Sequence, residues 1–270
     1  MTPDRDRGGA GDGPRGEYRE LFRVRSYEID PGGVLTLPSL CDYLQEAAGR
    51  HAGELGVSVE QLLEQGLTWF LSKLHVRIGS WPRLGETLEV RTWPAEMGRP
   101  FAIRDFRLLS DGVEVGVASS SWLLMDTAAF RPVRRPPDWL RRLHPDPPRR
   151  ALADSFRRLP SPDGGGSDVD PAGGPGLSIR RDDLDLNGHV NNSAYVRLLV
   201  EGLPESTWTR RRMSELEIEY RAEAHLGDRV DSRCLEGGDG ALLHSLVRVA
   251  DGRELVRARS RWGPAPAEVP

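Results

Sequence analysis

The sequence predicts an α+β protein in which one structural unit, a helix followed by an antiparallel meander, occurs twice. In each half of the 270-residue chain, apolar residues at helical spacing precede stretches that alternate apolar and polar residues. The two halves also share residues at a nearly constant offset, which indicates an internal duplication. A sheet that wraps around a helix satisfies both patterns, because the sheet then needs only one buried face.

The first predicted helix has an apolar face with i, i+3, i+4 and i+7 spacing. Thr36 can cap its N-terminus, Pro38 suits its first turn and Gly56 can end it. A shorter candidate in the second half precedes Gly202 and Pro204. The apolar positions of the first helix are Leu37, Leu40, Cys41, Leu44, Ala47, Ala48 and Leu55, and those of the second are Tyr195, Leu198 and Leu199.

The duplication is clearest near the end of each half. A hairpin-turn dipeptide, Asp111-Gly112 in the first half and Asp251-Gly252 in the second, lies between apolar runs. Each dipeptide precedes a tryptophan, Trp122 or Trp262, by the same interval. Strands are predicted by alternation over Thr87 to Trp93, Ile103 to Leu109, Glu215 to Arg221 and Leu243 to Val249.

Composition argues against several classes of protein. The net charge of -4 argues against bulk nucleic-acid binding, and no stretch of about eighteen apolar residues occurs. The first residues lack the apolar segment of a secretory signal, so we expect a soluble, cytoplasmic protein without membrane contact. Cys41 and Cys234 lie within apolar segments at no metal-ligand spacing, which predicts buried thiols, no metal and no cofactor.

Two glycine-rich segments divide the chain. Residues 1–16 have no apolar periodicity and are predicted to be a disordered tail. Ser161 to Gly176 contains two clusters of glycine and reads as part of a flexible linker. We therefore expect an N-terminal domain over residues 17–145, a linker over 146–176 and a C-terminal domain over 177–264.

The densest polar cluster of the chain stands immediately before the second helix. Its first part, from Asp183, copies the opening of a calcium-binding EF-hand loop, but the twelfth position, which needs a bidentate carboxylate, is Ala194. A helix N-terminus capped by one of the paired asparagines is compatible with the segment. A purely structural role for His189 is a further reading of the same residues.

The segment resembles the signature of the acyl-ACP thioesterase family in Asp185-Leu186-Asn187-Gly188-His189-Val190-Asn191-Asn192, followed by the helix tyrosine Tyr195. A second matching motif, Glu219-Tyr220-Arg221-Ala222-Glu223, follows at the expected distance, and Leu74-His75-Val76-Arg77 matches in the first half. The resemblance spans roughly residues 18–263. It implies a tandem (double) hot-dog fold, with two helix-wrapped antiparallel sheets joined by a flexible linker and the catalytic residues on the second hot-dog domain.

By this resemblance Asp185, Asn187, His189 and Glu223 are the catalytic residues of a thioester hydrolase. The implied reaction releases a free fatty or related acid and holo-ACP from acyl-ACP, and acyl carrier protein is the implied partner. Plant members of the family carry a cysteine directly after the glutamate, whereas this sequence has Ala224. A Cys-His mechanism at that position is therefore excluded.

The four residues allow more than one mechanism. Glu223 or Asp185 would act as general base for a water, with His189 orienting that carboxylate or passing the proton and Asn187 positioning the water or the thioester. Backbone amides at the start of the second helix would stabilise the oxyanion. Covalent attack by a carboxylate uses the same residues and stays open.

The duplication predicts one active site per chain, with the first half forming a wall of the substrate cavity. We superpose the two helices on their tyrosines, Tyr43 and Tyr195, and the strands on their own offset. This superposition pairs Gly33 with Asp185, Leu35 with Asn187, Leu37 with His189 and Trp81 with Glu223. The acyl tunnel is expected from residues 67–74 and the first helix.

Residues 131–150 contain seven arginines between prolines. The resemblance makes docking of an acidic carrier protein at this segment an expectation, and a solvated basic connector is the alternative. An acyl-CoA or polyketide thioesterase of the same fold, a non-catalytic acyl-carrier or lipid-binding module, and a hot-dog dehydratase are alternative functions. Two hot-dog units in one chain are compatible with a monomer or a homodimer.

Overall fold

The structure is a computed structural model. The tail expected over residues 1–16 lies outside the described residues apart from Gly16, and so do residues 163–166 and 169–175 of the expected linker. The described residues are 16–98, 100–145, 147–153, 156–162, 167–168, 176–185, 188–237 and 239–264.

Both halves consist of helices followed by long antiparallel strands, as the sequence predicts. In the first half these are β1 Tyr18–Arg23, α1 Leu37–Glu54, α2 Val59–Leu63, β2 Leu67–Ile78, β3 Thr87–Met97, β4 Phe101–Ser110, β5 Val113–Asp126, β6 Arg131–Pro132 and α3 Asp138–Arg141. In the second half they are β7 Ser167–Asp168, β8 Leu177–Ser178, a 3-10 turn Arg181–Asp183, α4 Asn192–Glu201, α5 Glu205–Arg210, β9 Arg211–Tyr220, β10 Arg229–Glu236, β11 Leu242–Arg248 and β12 Glu254–Pro264.

Within the described residues, the twelve strands form a single sheet in which β2 and β9 join the two halves. The order is β1-β3-β4-β5-β2-β9-β12-β11-β10-β7, with β6 paired to β5 and β8 to β10. At the junction His75 lies opposite Glu217, and the pairing runs from Lys73 with Glu219 to Arg77 with Glu215. The two sheets expected from the sequence are thus continuous, edge to edge.

The two long helices lie on one face of this sheet and supply much of the core. Thr36 caps α1 by accepting a hydrogen bond from the Ser39 N–H, and Pro38 stands in the first turn as expected. Leu40 and Ala47 on the inner face of α1 are fully buried. The principal core cluster contains residues of α1 and α4 together with both sheet halves, so the halves share one hydrophobic core.

Part of the connection between the halves packs on the opposite face of the sheet. The Lys73 ammonium donates to the backbone oxygens of Phe156 and Arg157 and pairs with Glu219 at 2.8 Å. Leu159 donates its N–H to the same glutamate at 2.8 Å and accepts a hydrogen bond from Arg257. Residues 156–159 therefore bridge the β2–β9 junction from outside.

Two further predictions concern the thiols and membrane spanning. Cys41 and Cys234 are free and buried, as predicted, and burial raises the pKa of Cys234 to about 12. None of the helices in the described part of the chain combines the length and apolar character needed to span a membrane.

Candidate active site

The loop before α4 is shaped by the carboxylate and backbone of Asp185. Its N–H donates to the His189 carbonyl at 2.8 Å, and its Oδ1 accepts a hydrogen bond from the His189 N–H at 3.1 Å. Gly188 lies between them with a φ of 75°, a conformation that favours glycine. An isolated bridge between Leu184 and Val190 closes the loop. Asp185 therefore fixes the position from which His189 extends.

His189 and Glu223 face each other although 33 residues of sequence separate them. His189 Nε2 lies 3.7 Å from Glu223 Oε2, and the two side chains are 42% and 47% exposed. The separation exceeds a hydrogen bond, so the two side chains are close neighbours without a direct hydrogen bond. The ring of His225 meets that of His189 edge-on, with centroids 5.8 Å apart. No motif in the sequence pointed to His225.

Two tyrosines fasten the loop to the segment that carries Glu223. The Tyr195 hydroxyl accepts a hydrogen bond from the Ala224 N–H at 2.8 Å, and the Tyr220 hydroxyl donates to the Asn192 carbonyl at 3.2 Å. Burial raises the pKa of Tyr195 to about 12, so its hydroxyl stays protonated. These bonds set the distance between the histidine loop and the glutamate.

The start of α4 faces the same space. Asn191 caps the helix by accepting a hydrogen bond from the Ser193 N–H at 3.2 Å, which confirms the capped N-terminus predicted from the sequence. Both Asn191 and Asn192 line the cavity that His189 faces. The first N–H groups of a helix lack acceptors within the helix, and together with the helix dipole they favour a negative charge.

A cavity of about 940 Å³ extends from these residues into the first half of the chain. Asp185, His189 and Glu223 line it together, whereas Asn187 lies outside the described residues. The expected tunnel segment contributes Thr68 to Leu71. Other lining residues come from α1, α2, β5 and α3, among them Ala48, Val59, Trp122 and Leu140.

Trp69, within the expected tunnel segment, has both a structural contact and a place in the cavity wall. It lines the cavity, and its Nε1 donates to the Val57 carbonyl at 3.0 Å. The hydrogen bond holds the turn before α2 against the sheet, so a structural tryptophan also forms part of the cavity wall.

The first half contains a loop with the same hydrogen bonds as the histidine loop. Asp30 donates to the Val34 carbonyl at 2.8 Å and accepts from the Val34 N–H at 3.1 Å. The matched positions are therefore Asp30 with Asp185, Gly32 with Asn187 and Val34 with His189, which corrects the pairing of Gly33, Leu35 and Leu37 expected from the sequence. The helix tyrosines misled that alignment, because Tyr43 follows the cap Thr36 by seven residues and Tyr195 follows the cap Asn191 by four.

The loop of the first half has the same hydrogen bonds as the histidine loop but lacks the histidine and the glutamate. Val34 and Trp81 replace the histidine and the glutamate. The Asp30 carboxylate pairs with Arg212 at 2.8 Å, and Trp81 Nε1 donates to the Met213 carbonyl at 2.8 Å. These contacts tie the loop of the first half to the start of β9.

Among the described residues, His75, Glu215 and Glu217 could together hold a metal ion, with their ligand atoms within 4.8 Å of one another. They lie on the outer face at the β2–β9 junction, away from the cavity lining. Arginines already pair with both carboxylates, Arg77 with Glu215 and Arg259 with Glu217. The negative charge of the two glutamates is thus already balanced by arginines of the protein.

Comparison with known proteins gives two matching family models. They are the acyl-ACP thioesterase N-terminal domain over residues 15–143 and the acyl-ACP thioesterase C-terminal domain over residues 171–264. A palmitoyl-acyl carrier protein thioesterase of Cuphea hookeriana is 31% identical over 264 residues, covering 92% of this chain and 62% of that protein. Oleoyl-acyl carrier protein thioesterase 1 of Arabidopsis thaliana is 29% identical, covering 93% and 77%. The chain spans less than two thirds of the Cuphea protein.

Solved structures share the architecture. The 12:0-ACP thioesterase from Umbellularia californica superposes with a TM-score of 0.80 and 27% identity, over 94% of this chain and 100% of that chain. An acyl-ACP thioesterase from Bacteroides thetaiotaomicron superposes with a TM-score of 0.79 and 24% identity, over 92% and 98%. The predicted tandem hot-dog fold is confirmed by these matches.

The cytoplasmic location expected from the sequence is wrong by the same comparison. The plant relatives are chloroplastic proteins. The expectation rested on composition and on the first residues, and neither distinguishes one aqueous compartment from another.

Proposed function

Because the chain belongs to the acyl-ACP thioesterase family, we propose that it hydrolyses acyl-ACP thioesters to a free fatty or related acid and holo-ACP, in lipid metabolism. The observation that carries the proposal is the pairing of His189 with Glu223 at the mouth of a cavity whose walls are mostly apolar. Such a cavity suits an acyl chain, since each buried methylene contributes about 0.8 kcal/mol.

In the proposed mechanism a water attacks the thioester carbonyl, the C–S bond breaks and a proton reaches the departing sulfur. Glu223 is the better candidate for the general base, because its carboxylate is open to the cavity and next to the imidazole of His189. Asp185 is a positioning residue, because its Oδ1 holds the His189 N–H. Asn187 keeps the role expected from the sequence, and the start of α4 supplies oxyanion donors.

The covalent alternative uses the same glutamate. Its carboxylate would attack the carbonyl and expel the thiolate, and water would then cleave the anhydride. A single turnover in ¹⁸O-labelled water detects the covalent route when water cleaves the anhydride at the Glu223 carbonyl. With direct attack of water the label enters the released acid, whereas cleavage of the anhydride at the Glu223 carbonyl leaves the label in the protein and the first acid released is unlabelled.

The central experiment measures thiol release from acyl-ACP and acyl-CoA substrates by wild type, His189→Ala and Glu223→Ala. We expect release by the wild type and a fall of at least about a hundredfold in kcat for both variants, as general acid–base groups contribute that much. Tight binding of acyl carriers by a wild type that releases no thiol would contradict hydrolysis and favour the lipid-binding module. Faster thiol release from acyl-CoA than from acyl-ACP would identify coenzyme A as the carrier of the acyl group.

We also propose that the carrier protein docks on the basic segment between β5 and β7. Arg149 and Arg150 are excluded from the docking surface, because they pair with Glu17 and with the buried Asp105. The remaining arginines follow Phe130 in the sequence, an exposed residue that also lines the cavity. The exposed arginines of this basic surface are Arg131, Arg134, Arg135, Arg141 and Arg142, of which Arg141 pairs with the exposed Asp138.

A matched pair of double variants tests the docking surface. Arg134→Glu with Arg135→Glu should raise KM for acyl-ACP by about tenfold and leave KM for acyl-CoA unchanged, because steering acts only on the charged carrier. Arg210→Glu with Arg211→Glu makes the same change of charge on the exposed end of α5. Equal effects of the two pairs, or none from the first, would exclude the basic surface.

The proposed domain limits remain 17–145 and 177–264, with 146–176 as the connection. The family models support this division by leaving a gap between residues 143 and 171. Limited proteolysis should cut within 163–175 before it cuts within either domain. Initial cleavage inside 156–159, which packs on the sheet, would move the boundary.

A further inference from the structure

Arg104 is a cationic side chain enclosed beside the acyl cavity. It stands in β4 on the face that packs under α1, and it lines the cavity. Its Nη1 donates to His51 Nδ1 at 3.1 Å and to Thr92 Oγ1 at 3.2 Å. Within the part of the chain that the structure describes, Nε and Nη2 of Arg104 have no protein acceptor. These two donors are left for whatever fills the cavity.

No carboxylate of the described residues pairs with Arg104. Burial lowers its pKa to about 10, so the guanidinium is still protonated at neutral pH. Burial and then the nearby Arg104 charge lower the pKa of His51 to about 3, and burial is likewise the main cause of the pKa of about 4 for His144. Both imidazoles are therefore neutral partners, and no described Asp or Glu forms an ion pair with Arg104.

Other enclosed arginines of this protein form ion pairs with carboxylates. Arg150 pairs with Asp105 at 3.1 Å, and Arg257 pairs with Glu254 at 2.8 Å. A buried charge without a counter-charge is costly, and folded proteins normally pair such groups. Among the described residues Arg104 has no such counter-charge, and it lines the cavity that a ligand would fill.

The sheet register places Arg104 far from the proposed reaction centre. Arg104 lies opposite Ser120 of β5, Ser120 opposite Leu74 of β2, and Leu74 opposite Ile218 of β9. Three strand spacings, about 14 Å, therefore separate Arg104 from the strand that leads into Glu223. An acyl group whose carbonyl lies at Glu223 would reach Arg104 with its distal part.

We propose that the acyl group of the substrate carries an oxygen function at its far end, a hydroxyl, keto or carboxylate group, which accepts hydrogen bonds from Nε and Nη2 of Arg104. The inference rests on the proposed thioester hydrolysis and specifies its substrate class. A plain alkyl chain would leave the guanidinium desolvated without an acceptor. A site built to hydrogen-bond a polar group discriminates strongly against the analogue that lacks it.

The test compares octanoyl, decanoyl and dodecanoyl thioesters that are unsubstituted or carry a terminal hydroxyl or a terminal carboxylate. The readout is kcat/KM for each oxygenated chain divided by kcat/KM for the plain chain. We expect wild type to favour an oxygenated chain at one or more lengths, and Arg104→Leu to lower that ratio by at least about tenfold. Arg104→Gln should keep part of a preference for the hydroxyl and lose a preference for the carboxylate.

Arg107→Leu is the matched control. Arg107 stands on the same strand with its side chain on the opposite, exposed face, paired with Glu114. It should leave all ratios at the wild-type value. Arg104→Leu should fold, because it removes a charge that is costly to bury and that has no counter-charge among the described residues. If it does not fold, Arg104→Gln supplies the same comparison.

Two outcomes overturn the assignment of Arg104: a wild type that favours the plain chain at every length, or a ratio that Arg104→Leu and Arg104→Gln leave unchanged. Absence of thiol release from every substrate would instead contradict the proposed hydrolysis. In that event, calorimetric titration with decanedioate and with decanoate still tests the site. Tighter binding of the dicarboxylate that disappears in Arg104→Leu supports it, and equal binding overturns it.

Discussion

Asp185 holds His189 by accepting, at its carboxylate Oδ1, a hydrogen bond from the backbone N–H of the histidine at 3.1 Å. The carboxylate thus acts on the backbone of the residue whose side chain faces Glu223. Because Asp30 makes the same bond to Val34 in a loop without histidine or glutamate, the bond belongs to the architecture of the loop. The chemistry was added to, or lost from, a shape common to both halves.

Separate substitutions of the two aspartates distinguish a positioning role of Asp185 from a role in proton transfer. Asp185→Asn keeps an oxygen acceptor for the His189 N–H and should retain most of kcat, whereas Asp185→Ala should lower kcat by more than about tenfold with little change in KM. Asp30→Ala is the control and should lower stability by about 1 kcal/mol while kcat is unchanged. If Asp185→Asn is as inactive as Asp185→Ala, the aspartate acts through its charge.

A second prediction concerns the tyrosine that holds the glutamate segment. Tyr195→Phe leaves the buried Ala224 N–H without its acceptor, at a cost of about 1–3 kcal/mol, and frees Glu223 to move away from His189. We expect kcat of Tyr195→Phe to fall because Glu223 is displaced. Tyr43→Phe removes a similarly buried hydroxyl, which donates to Glu28 in the first half, and should affect stability alone. Stopped-flow turnover and chemical denaturation measure the two effects, and equal losses of kcat would refute the role of Tyr195.

The Lys73–Glu219 pair should stabilise the junction of the two halves. The side chains are 18% and 6% exposed, and Lys73 also binds the backbone of the connection. Lys73→Ala should lower the free energy of unfolding by about 3 kcal/mol, since it leaves a buried carboxylate with less compensation. The exposed pair of Arg107 with Glu114 is the comparison, and Arg107→Ala should change stability by less than about 0.5 kcal/mol. Urea titrations that give equal values would contradict this.

Acid should destabilise the fold through His244. This histidine is buried, its Nε2 lies 2.7 Å from Ser260 Oγ, and burial lowers its pKa to about 4. As the pH falls below about 6.5, the unfolded chain takes up the proton first, so stability present above that pH is lost toward pH 4. The limiting slope is about 1.4 kcal/mol per pH unit.

His244→Gln removes this titration. Its free energy of unfolding should depend less steeply on pH than that of the wild type between pH 6.5 and 4, and the two slopes should coincide above pH 7. Parallel curves throughout the acid range would show that His244 does not contribute. Chemical denaturation in a series of buffers provides the measurement.

The sequence predicted elements whose signal is local. The periodicity of α1 is correct to one residue, and the alternation over residues 103–109 and 243–249 falls within or next to β4 and β11. The motif also placed Asp185, His189 and Glu223 in one cavity. The role of Asn187 and the catalytic roles of the other three residues stay predictions.

What the sequence did not predict depends on contacts between distant segments. The pairing of β2 with β9, which turns two sheets into one, is set by the shared core of the two halves and has no local pattern. In the sequence Arg104 does not differ from the many other arginines, since its environment depends on His51 of α1 and Thr92 of β3. The offset between the two loops was wrong because a repeated tyrosine is a weaker landmark than a repeated set of backbone hydrogen bonds.

The seam between β2 and β9 joins segments of a single molecule, and this has a consequence for its evolution. In a dimer of identical subunits every substitution appears at both symmetry-related loops, so a loop cannot lose its histidine on one side alone. Covalent linkage removes that constraint. It also makes formation of the seam independent of protein concentration, so dilution cannot separate the half that carries the reactive groups from the half that shapes the cavity.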